Sequence, residues 1–284
     1  MDSIRRLNQA MDYIEDHLID RIDYEAIDRI TCCPSGLFSR MFSVLAGMPI
    51  SEYIRKRRLS LAALDLKDGR SVIEVSMKYG YESPDAFSQA FKKMHRVTPR
   101  DVIKDQSMLI HVPKMSFSMT MEGVRSMKYQ LIQREAFTVL GRSIKTSSED
   151  NMKHGTISTF WQEAPTQGLE SKLCKLNDDR PFLGVCYGME NDGHFRYMIG
   201  VETKKTDATL EQLVIPASTW AVFESIGPMP DAIQRVWRSI YEDFFPSSGY
   251  RHAGTPDFES YPESGSDRQD YRCEVWIPVV KSHE

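Results

Sequence analysis

Cysteine is scarce in this sequence, long apolar runs are missing, and neither sign of charge dominates the whole. The five cysteines, Cys32, Cys33, Cys174, Cys186 and Cys273, form no C-x-x-C pair and are odd in number, which argues against a disulfide framework or a zinc site. The adjacent Cys32 and Cys33 read first as small buried filler and second as a redox sensor. The seven histidines show no H-x-H or H-x-x-x-H spacing, so no metal ligand set is expected. No apolar run approaches the ~20 residues that span a bilayer. Residues 1–10 mix acid and base without an apolar core, unlike a signal or transit peptide. There is also no phosphate loop and no nucleophile-base pair. The expectation is a cytoplasmic protein with no membrane partner, no cofactor, no metal and no catalytic residues.

What is present suits two domains, since 284 residues exceed one ordinary core. The net charge of -4 hides an asymmetry. Residues 29–100 hold thirteen basic and six acidic side chains, a net +7, whereas 1–28 and 111–284 each carry a net -5. A basic segment between acidic ones is what a localised phosphate-facing surface looks like.

Along the chain, apolar residues recur three and four apart from Ile4 to Leu18, an amphipathic helix whose outer face is acidic. A short helix over 24–30 follows, then one opened by Pro34 and closed at Gly47. A long helix over 51–66 ends at Lys67-Asp68-Gly69. The short-helix, turn, short-helix theme then returns over 72–78 and 84–94, with Ser83 as cap and Pro84 in the first turn. Two helix-turn-helix units joined by a long helix account for residues 1–108. From residue 112 the texture changes. Strands are expected over 112–121, 129–140, 183–187, 197–202, 211–215, 220–225 and 273–279, helices over 157–164 and after Pro230, and loop over 247–270. The fold class is therefore an all-α tandem helix-turn-helix domain, 1–108, followed by an α+β domain, 112–284.

The first domain resembles the AraC/XylS family of regulators. The resemblance is carried by Arg40-Met41-Phe42, by Gly47-Met48-Pro49-Ile50-Ser51-Glu52-Tyr53-Ile54-Arg55, and by Tyr79-Gly80-Tyr81-Glu82-Ser83-Pro84-Asp85-Ala86-Phe87-Ser88-Gln89-Ala90-Phe91 with Thr98-Pro99. It implies that double-stranded DNA is the partner, with RNA polymerase as a further one. It also implies that bases are read by Ser35, Gly36, Ser39 and Arg40 in the first unit and by Asp85, Ser88 and Gln89 in the second. Gln89 suits adenine and Arg40 suits guanine or a phosphate. Lys92, Lys93, Arg96 and the arginines of the long helix would hold the DNA backbone. The sequence departs from the family pattern at Asp28, Cys32 and Pro34, where alanine, glycine and serine are usual, and at Gly36, where a larger side chain is usual.

The second domain resembles the GyrI-like effector-binding domains. Its residues are Tyr197-Met198-Ile199-Gly200-Val201-Glu202, Ile215-Pro216-Ala217, Pro256-Asp257-Phe258-Glu259-Ser260-Tyr261 and Cys273-Glu274-Val275-Trp276-Ile277-Pro278. The resemblance implies duplicated β-α-β-β units around a cleft for a small organic effector, cationic or amphipathic. The resemblance also implies that Glu274 is the acid of that pocket; strand alternation sets it beside Trp276 among apolar neighbours, where a carboxylate is costly unless compensated. A salt bridge to Arg272 or another local base is the structural alternative. Trp161, Tyr187, Tyr197, Tyr261 and Trp276 are the expected aromatic lining. Together these residues describe a ligand-responsive transcriptional regulator, with a small-molecule hydrolase or a ligand-sequestering protein as the competing functions.

Overall fold

The computed structural model describes residues 2–104, 108–118, 127–190, 193–262 and 267–282. Helices come first: α1 (Asp2–Asp16), α2 (Tyr24–Thr31), α3 (Ser35–Ala46), α4 (Ile50–Lys67), α5 (Val72–Lys78), α6 (Pro84–His95) and α7 (Pro99–Lys104). Helices α2 and α3 form one helix-turn-helix unit, α5 and α6 a second, and α4 joins them. Local chemistry sets the ends. Asp23 accepts from the Glu25 N–H at 2.9 Å to start α2, Ser71 and Glu74 make a reciprocal capping box on α5, and Ser83 caps α6 at the Ala86 N–H with Pro84 behind it. Cys32 adopts a left-handed φ of 53°, which explains why its family position favours glycine.

Each unit has its own core. Phe38, Phe42 and Tyr53 pack on Met11 and Ile14 of α1, while Leu59 and Leu66 pack on Val75, Phe87 and Phe91. Two arginines of α4 bind this framework. Arg57 is buried and pairs with Glu15 at 2.6 Å, and Tyr53 donates to the same carboxylate at 2.7 Å. Arg58 donates to the carbonyls of Leu18 and Asp20.

Residues 112–118, expected to open the second domain as a strand, instead belong to a strap over 108–118 that crosses the first; the remainder of that expected strand, 119–121, lies outside the described residues. Val112 N–H donates to Ser60 Oγ, Met115 N–H to the Tyr53 hydroxyl, and Phe117 exchanges two hydrogen bonds with Asn8. Extended backbone without a sheet partner is thus satisfied by side chains of the helices it crosses.

The second domain is built on one antiparallel sheet. Its strands are β1 (Gln130–Arg134), β2 (Phe137–Ser147), β3 (Phe182–Tyr187), β4 (His194–Glu202), β5 (Glu211–Ile215), β6 (Ser218–Ile226), β7 (Tyr250–His252), β8 (Asp257–Tyr261) and β9 (Arg272–Lys281). The spatial order is β1-β6-β9-β8-β3-β4-β2-β5, with β7 also on β9. Helices α8 (Ser148–His154), α9 (Thr156–Thr166) and α10 (Leu169–Cys174) connect β2 to β3. Helix α11 (Asp231–Ser239), a π-helical turn (Ile240–Phe244) and α12 (Phe245–Ser247) follow β6. The order β6-β9-β8 therefore mirrors β2-β4-β3, and the two β-α-β-β units meet where β8 pairs with β3. The stretch expected as loop over 247–270 contains β7 and β8. Strand β8 escaped notice because its side chains alternate polar with apolar inside a buried sheet rather than reading as an apolar run.

The two sheet faces differ. Cys273, Val275 and Ile277 of β9 pack with Ile233 and Trp237 of α11 on the helix-covered face. Val185, Trp220, Val222 and Phe258 form the cluster on the other, and Trp276 packs against it. Helix α3 also contributes to the helix-covered side: Met41, Val44 and Leu45 pack on the α11 cluster, joining the first helix-turn-helix unit to the sensor domain.

Candidate functional site

Between the sheet and its helices lies a cavity of about 740 Å³. Phe195, Tyr197 and Ile199 of β4 with Cys186 form its floor, α9 and α10 one wall, α11 the other, and Arg40, Ser43, Val44 and Gly47 of α3 close it from the DNA-binding domain. The size and the mixed apolar and polar lining suit a drug-sized organic molecule.

One carboxylate organises the floor. Glu259 of β8 accepts from the Tyr261 hydroxyl at 2.7 Å and the Tyr197 hydroxyl at 3.2 Å through one oxygen, and from Trp237 Nε1 at 2.8 Å through the other. Trp161 Nε1 in turn donates to the Tyr197 hydroxyl at 2.9 Å, and the Trp161 and Tyr261 rings meet edge to face with centroids 5.1 Å apart. Burial, reinforced by the adjacent Glu259 charge, pushes the phenols of Tyr197 and Tyr261 well above their usual range, so both remain hydrogen-bond donors. Among the described residues no lysine, arginine or histidine makes an ion pair with Glu259. Gly184 of β3 makes room for this cage, because a Cβ there would overlap the Tyr197 hydroxyl.

A second cluster sits on the same face of β8, two residues away. Asp257, almost fully buried, takes both carboxylate oxygens to Arg40 Nη1 of α3, at 2.8 and 2.9 Å. His252 lies 3.2 Å from the same carboxylate through Nε2. The Gly254 N–H donates to His252 Nδ1, so Nε2 carries the proton and donates to Asp257. The Arg40 guanidinium also lies 4.2 Å from the centroid of the Trp237 ring. Burial alone would lower the Arg40 pKa, but Asp257 more than offsets it and holds the guanidinium charged. The Asp257 carboxyl is correspondingly held below its ordinary range despite its burial.

Of the expected pocket residues, the structure brings Trp161, Tyr197 and Tyr261 together and leaves three elsewhere. Glu274 does not line the cavity. It points to the opposite face of the sheet, where Trp276 Nε1 donates to it at 2.8 Å and Glu224 and Ser260 are its cross-strand neighbours. The alternative salt bridge to Arg272 is not formed; Arg272 pairs with Glu224. Trp276 stacks on Phe258, and Tyr187 accepts from Arg196, both away from the cavity. Alternation along β9 correctly sorted its residues into two faces, but nothing in that strand says which face carries the helices. The acid on the cavity floor is Glu259, with the exposed Glu170 of α10 on the wall, and the signal for Glu259 was the Asp257, Glu259, Tyr261 spacing of two on one strand.

The two recognition helices are placed differently. In α6, Asp85, Gln89, Lys92, Lys93 and Arg96 are exposed on one side, while Ser88 is half-buried and donates to the Pro84 carbonyl. In α3, Gly36 and Ser39 are buried and the Arg40 side chain retains 12% exposure. The side chain of Ser35 lies outside the described residues. No helix among the described residues is long and apolar enough to cross a membrane.

Fold and site together define a DNA-binding regulator with a separate small-molecule cavity. Residues 127–280, more than half of the chain, match the GyrI-like small molecule binding domain family, and residues 29–105 match a helix-turn-helix domain family. The chain belongs to the GyrI-like family and is a transcriptional regulator of AraC/XylS type. It is 23% identical to the transcriptional regulator Rob of Salmonella typhimurium over 301 residues, covering 98% of this chain and 99% of that protein. It is 35% identical to the uncharacterized HTH-type transcriptional regulator YbfP of Bacillus subtilis over 97 residues, a match spanning 34% of this chain and only 32% of that protein. The solved structure of SAV2435 bound to tetraphenylphosphonium aligns with 54% of this chain and 94% of that one, at 26% identity and a TM-score of 0.49.

Proposed function

We propose that the cavity senses an organic cation carrying aromatic groups, and that the protein reads DNA through α6 with Gln89 on a base and Lys92 and Lys93 on phosphates. The observation that carries the sensing half is Glu259. Its charge is solvated by three neutral donors and, among the described residues, by no cation, within an aromatic cage, so a positive ligand supplies the missing partner. Tyr197 and Tyr261 stay protonated and orient the carboxylate, and Trp161 and Trp237 offer flat faces for stacking. The exposed, basic end of α6 supports the DNA half, since Gln can pair bidentately with adenine while lysines hold phosphates as point charges.

Calorimetric titration of the full chain with tetraphenylarsonium, a rigid aromatic cation, and with the neutral triphenylphosphine oxide tests the sensor. Glu259→Gln is expected to weaken the cation by about 1.5–3 kcal/mol, the range for a hydrogen bond to a charged group, and to leave the neutral molecule nearly unchanged. Equal cation affinity in both proteins would remove Glu259 from the ligand site. The competing hydrolase reading requires turnover of a bound ester or other reactive molecule that disappears in Glu259→Gln. The sequestering reading requires DNA affinity indifferent to cavity occupancy.

A further inference from the structure

The cavity and the first recognition helix share residues, and this has a mechanical meaning. Helix α3 is the second helix of its unit, the one that enters a major groove in such units. Gly36, Ser39 and Arg40 are covered by the sensor domain. A Cβ added to Gly36 would lie 2.9 Å from the Glu190 carbonyl and from Met189 Cβ, in the turn joining β3 to β4. Ser39 faces Gly193 of the same turn, and its hydroxyl is buried there without a hydrogen-bond partner among the described residues. Pro34 abuts Gly254, and Arg40 is taken by Asp257 and Trp237.

A polar hydroxyl left unpaired in an interface is costly, and it points to a second state in which Ser39 is satisfied. The absent side chain at Gly36 points the same way as the buried arginine: this surface of α3 is shaped to fit the sensor domain. Arg40 is, moreover, the cation already present in the cavity wall. It occupies one face of Trp237, whose Nε1 holds Glu259.

We propose that the structure is a closed state in which the sensor domain masks the reading face of α3, and that a cationic occupant of the cavity opens it by displacing Arg40 from Trp237. The second clause rests on the cation-sensing reading; the masking does not. Once released, Arg40 is free for a guanine or a phosphate, and Asp257 retains His252 as its hydrogen-bond donor. The occupant shifts the equilibrium only by the difference in its affinity for the two states, and its competition with Arg40 for Trp237 supplies such a difference.

A reversible crosslink tests the masking without any ligand. A Cβ built on Gly193 lies 3.8 Å from Ser39 Cβ, within the separation a disulfide requires. The full chain carrying Ser39→Cys and Gly193→Cys is used to select a duplex from a randomised library in its reduced form. Oxidation is expected to lower affinity for that duplex at least tenfold and to shorten the footprint to one side, and dithiothreitol restores both. Unchanged affinity and footprint in the oxidised protein, or an equal loss in either single-cysteine variant, would overturn the masking. In an independent arm, Asp257→Asn is expected to bind the same duplex at least fivefold tighter than wild type without ligand; unchanged or weaker binding by a variant with a normal unfolding transition would overturn the latch. Without DNA, the oxidised double-cysteine protein is expected to bind tetraphenylarsonium at least fivefold more weakly than the reduced one. Equal affinities would overturn the displacement of Arg40, whereas no cation binding in either form would overturn the sensor reading while leaving the masking result to stand.

Discussion

The two helix-turn-helix units have the same local design and opposite surroundings. Helix α6 is capped by Ser83, packs Phe87 and Phe91 inward, and leaves Asp85, Gln89, Lys92 and Lys93 in solvent. Helix α3 packs Phe38 and Phe42 inward in the same way, yet its outer face is an interface, with Met41, Val44 and Leu45 on the sensor core and Arg40 on Asp257. A recognition helix is therefore defined by what its outer face meets. The periodicity that makes two units look equivalent reports only their inner faces.

The largest expected effect separates the arginines that build the first unit from the residues that read DNA. Arg57→Ala strands the buried Glu15 carboxylate and is expected to destabilise the fold by about 3–5 kcal/mol, the range for breaking one side of a buried ion pair. Urea denaturation measures it, and Arg55→Ala, whose side chain is exposed, is the control expected to change stability little. A small loss for Arg57→Ala would return that arginine to the phosphate-holding set expected from sequence.

Gln89→Ala and Lys92→Ala sharpen the other half of the comparison. The first is expected to relax preference at one base pair by about 1–3 kcal/mol. The second is expected to weaken all sequences alike and to lower the salt slope by about one. Competition binding against single-substituted duplexes, repeated over a salt series, distinguishes them. Uniform weakening by both variants would mean that α6 only grips the backbone.

The smallest effect is one of pH. Hydrogen bonds from Arg57 and Tyr53 outweigh burial and hold the Glu15 carboxyl below its ordinary 4.5. Because the folded value is the depressed one, its stabilisation is fully present above about 4.5 and is lost as pH falls through the lower folded value. The stability gap between wild type and Glu15→Gln should therefore be constant from pH 7 to pH 5 and narrow below that. A gap unchanged down to pH 3 would mean that Glu15 contributes by shape alone.

The helical domain was legible because caps, proline and apolar spacing are local signals, and Ser83-Pro84 carries them outright, while the capping box of Ser71 with Glu74 went unread. The family resemblance supplied the duplicated sheet, and alternation placed the ends of β3, β5, β6 and β9 to within about two residues, whereas the single strand expected over 129–140 is β1 and the start of β2. The site was half legible. Trp161, Tyr197 and Tyr261 were named from chemistry, but the acid was sought at Glu274, on the resemblance and because β9 looks like a core strand, whereas the carboxylate on the cavity floor lies on β8, disguised as loop by its own polar residues. Facing is a tertiary property: Val275 pairs with Glu259 across the two strands, and only that register tells which side of β9 lies toward the cavity. The contact of Arg40 with Asp257 joins residues 217 positions apart, and no local pattern announces it.

Hydroxyl-radical footprinting of the wild-type full chain on its selected duplex, with and without tetraphenylarsonium, tests the joint role of cavity and α3 most directly. The expected result is two patches about one helical turn, ~34 Å, apart, with the α3 patch half-protected at a several-fold lower protein concentration when the cation is present. Equal concentrations for half-protection with and without the cation would contradict the account.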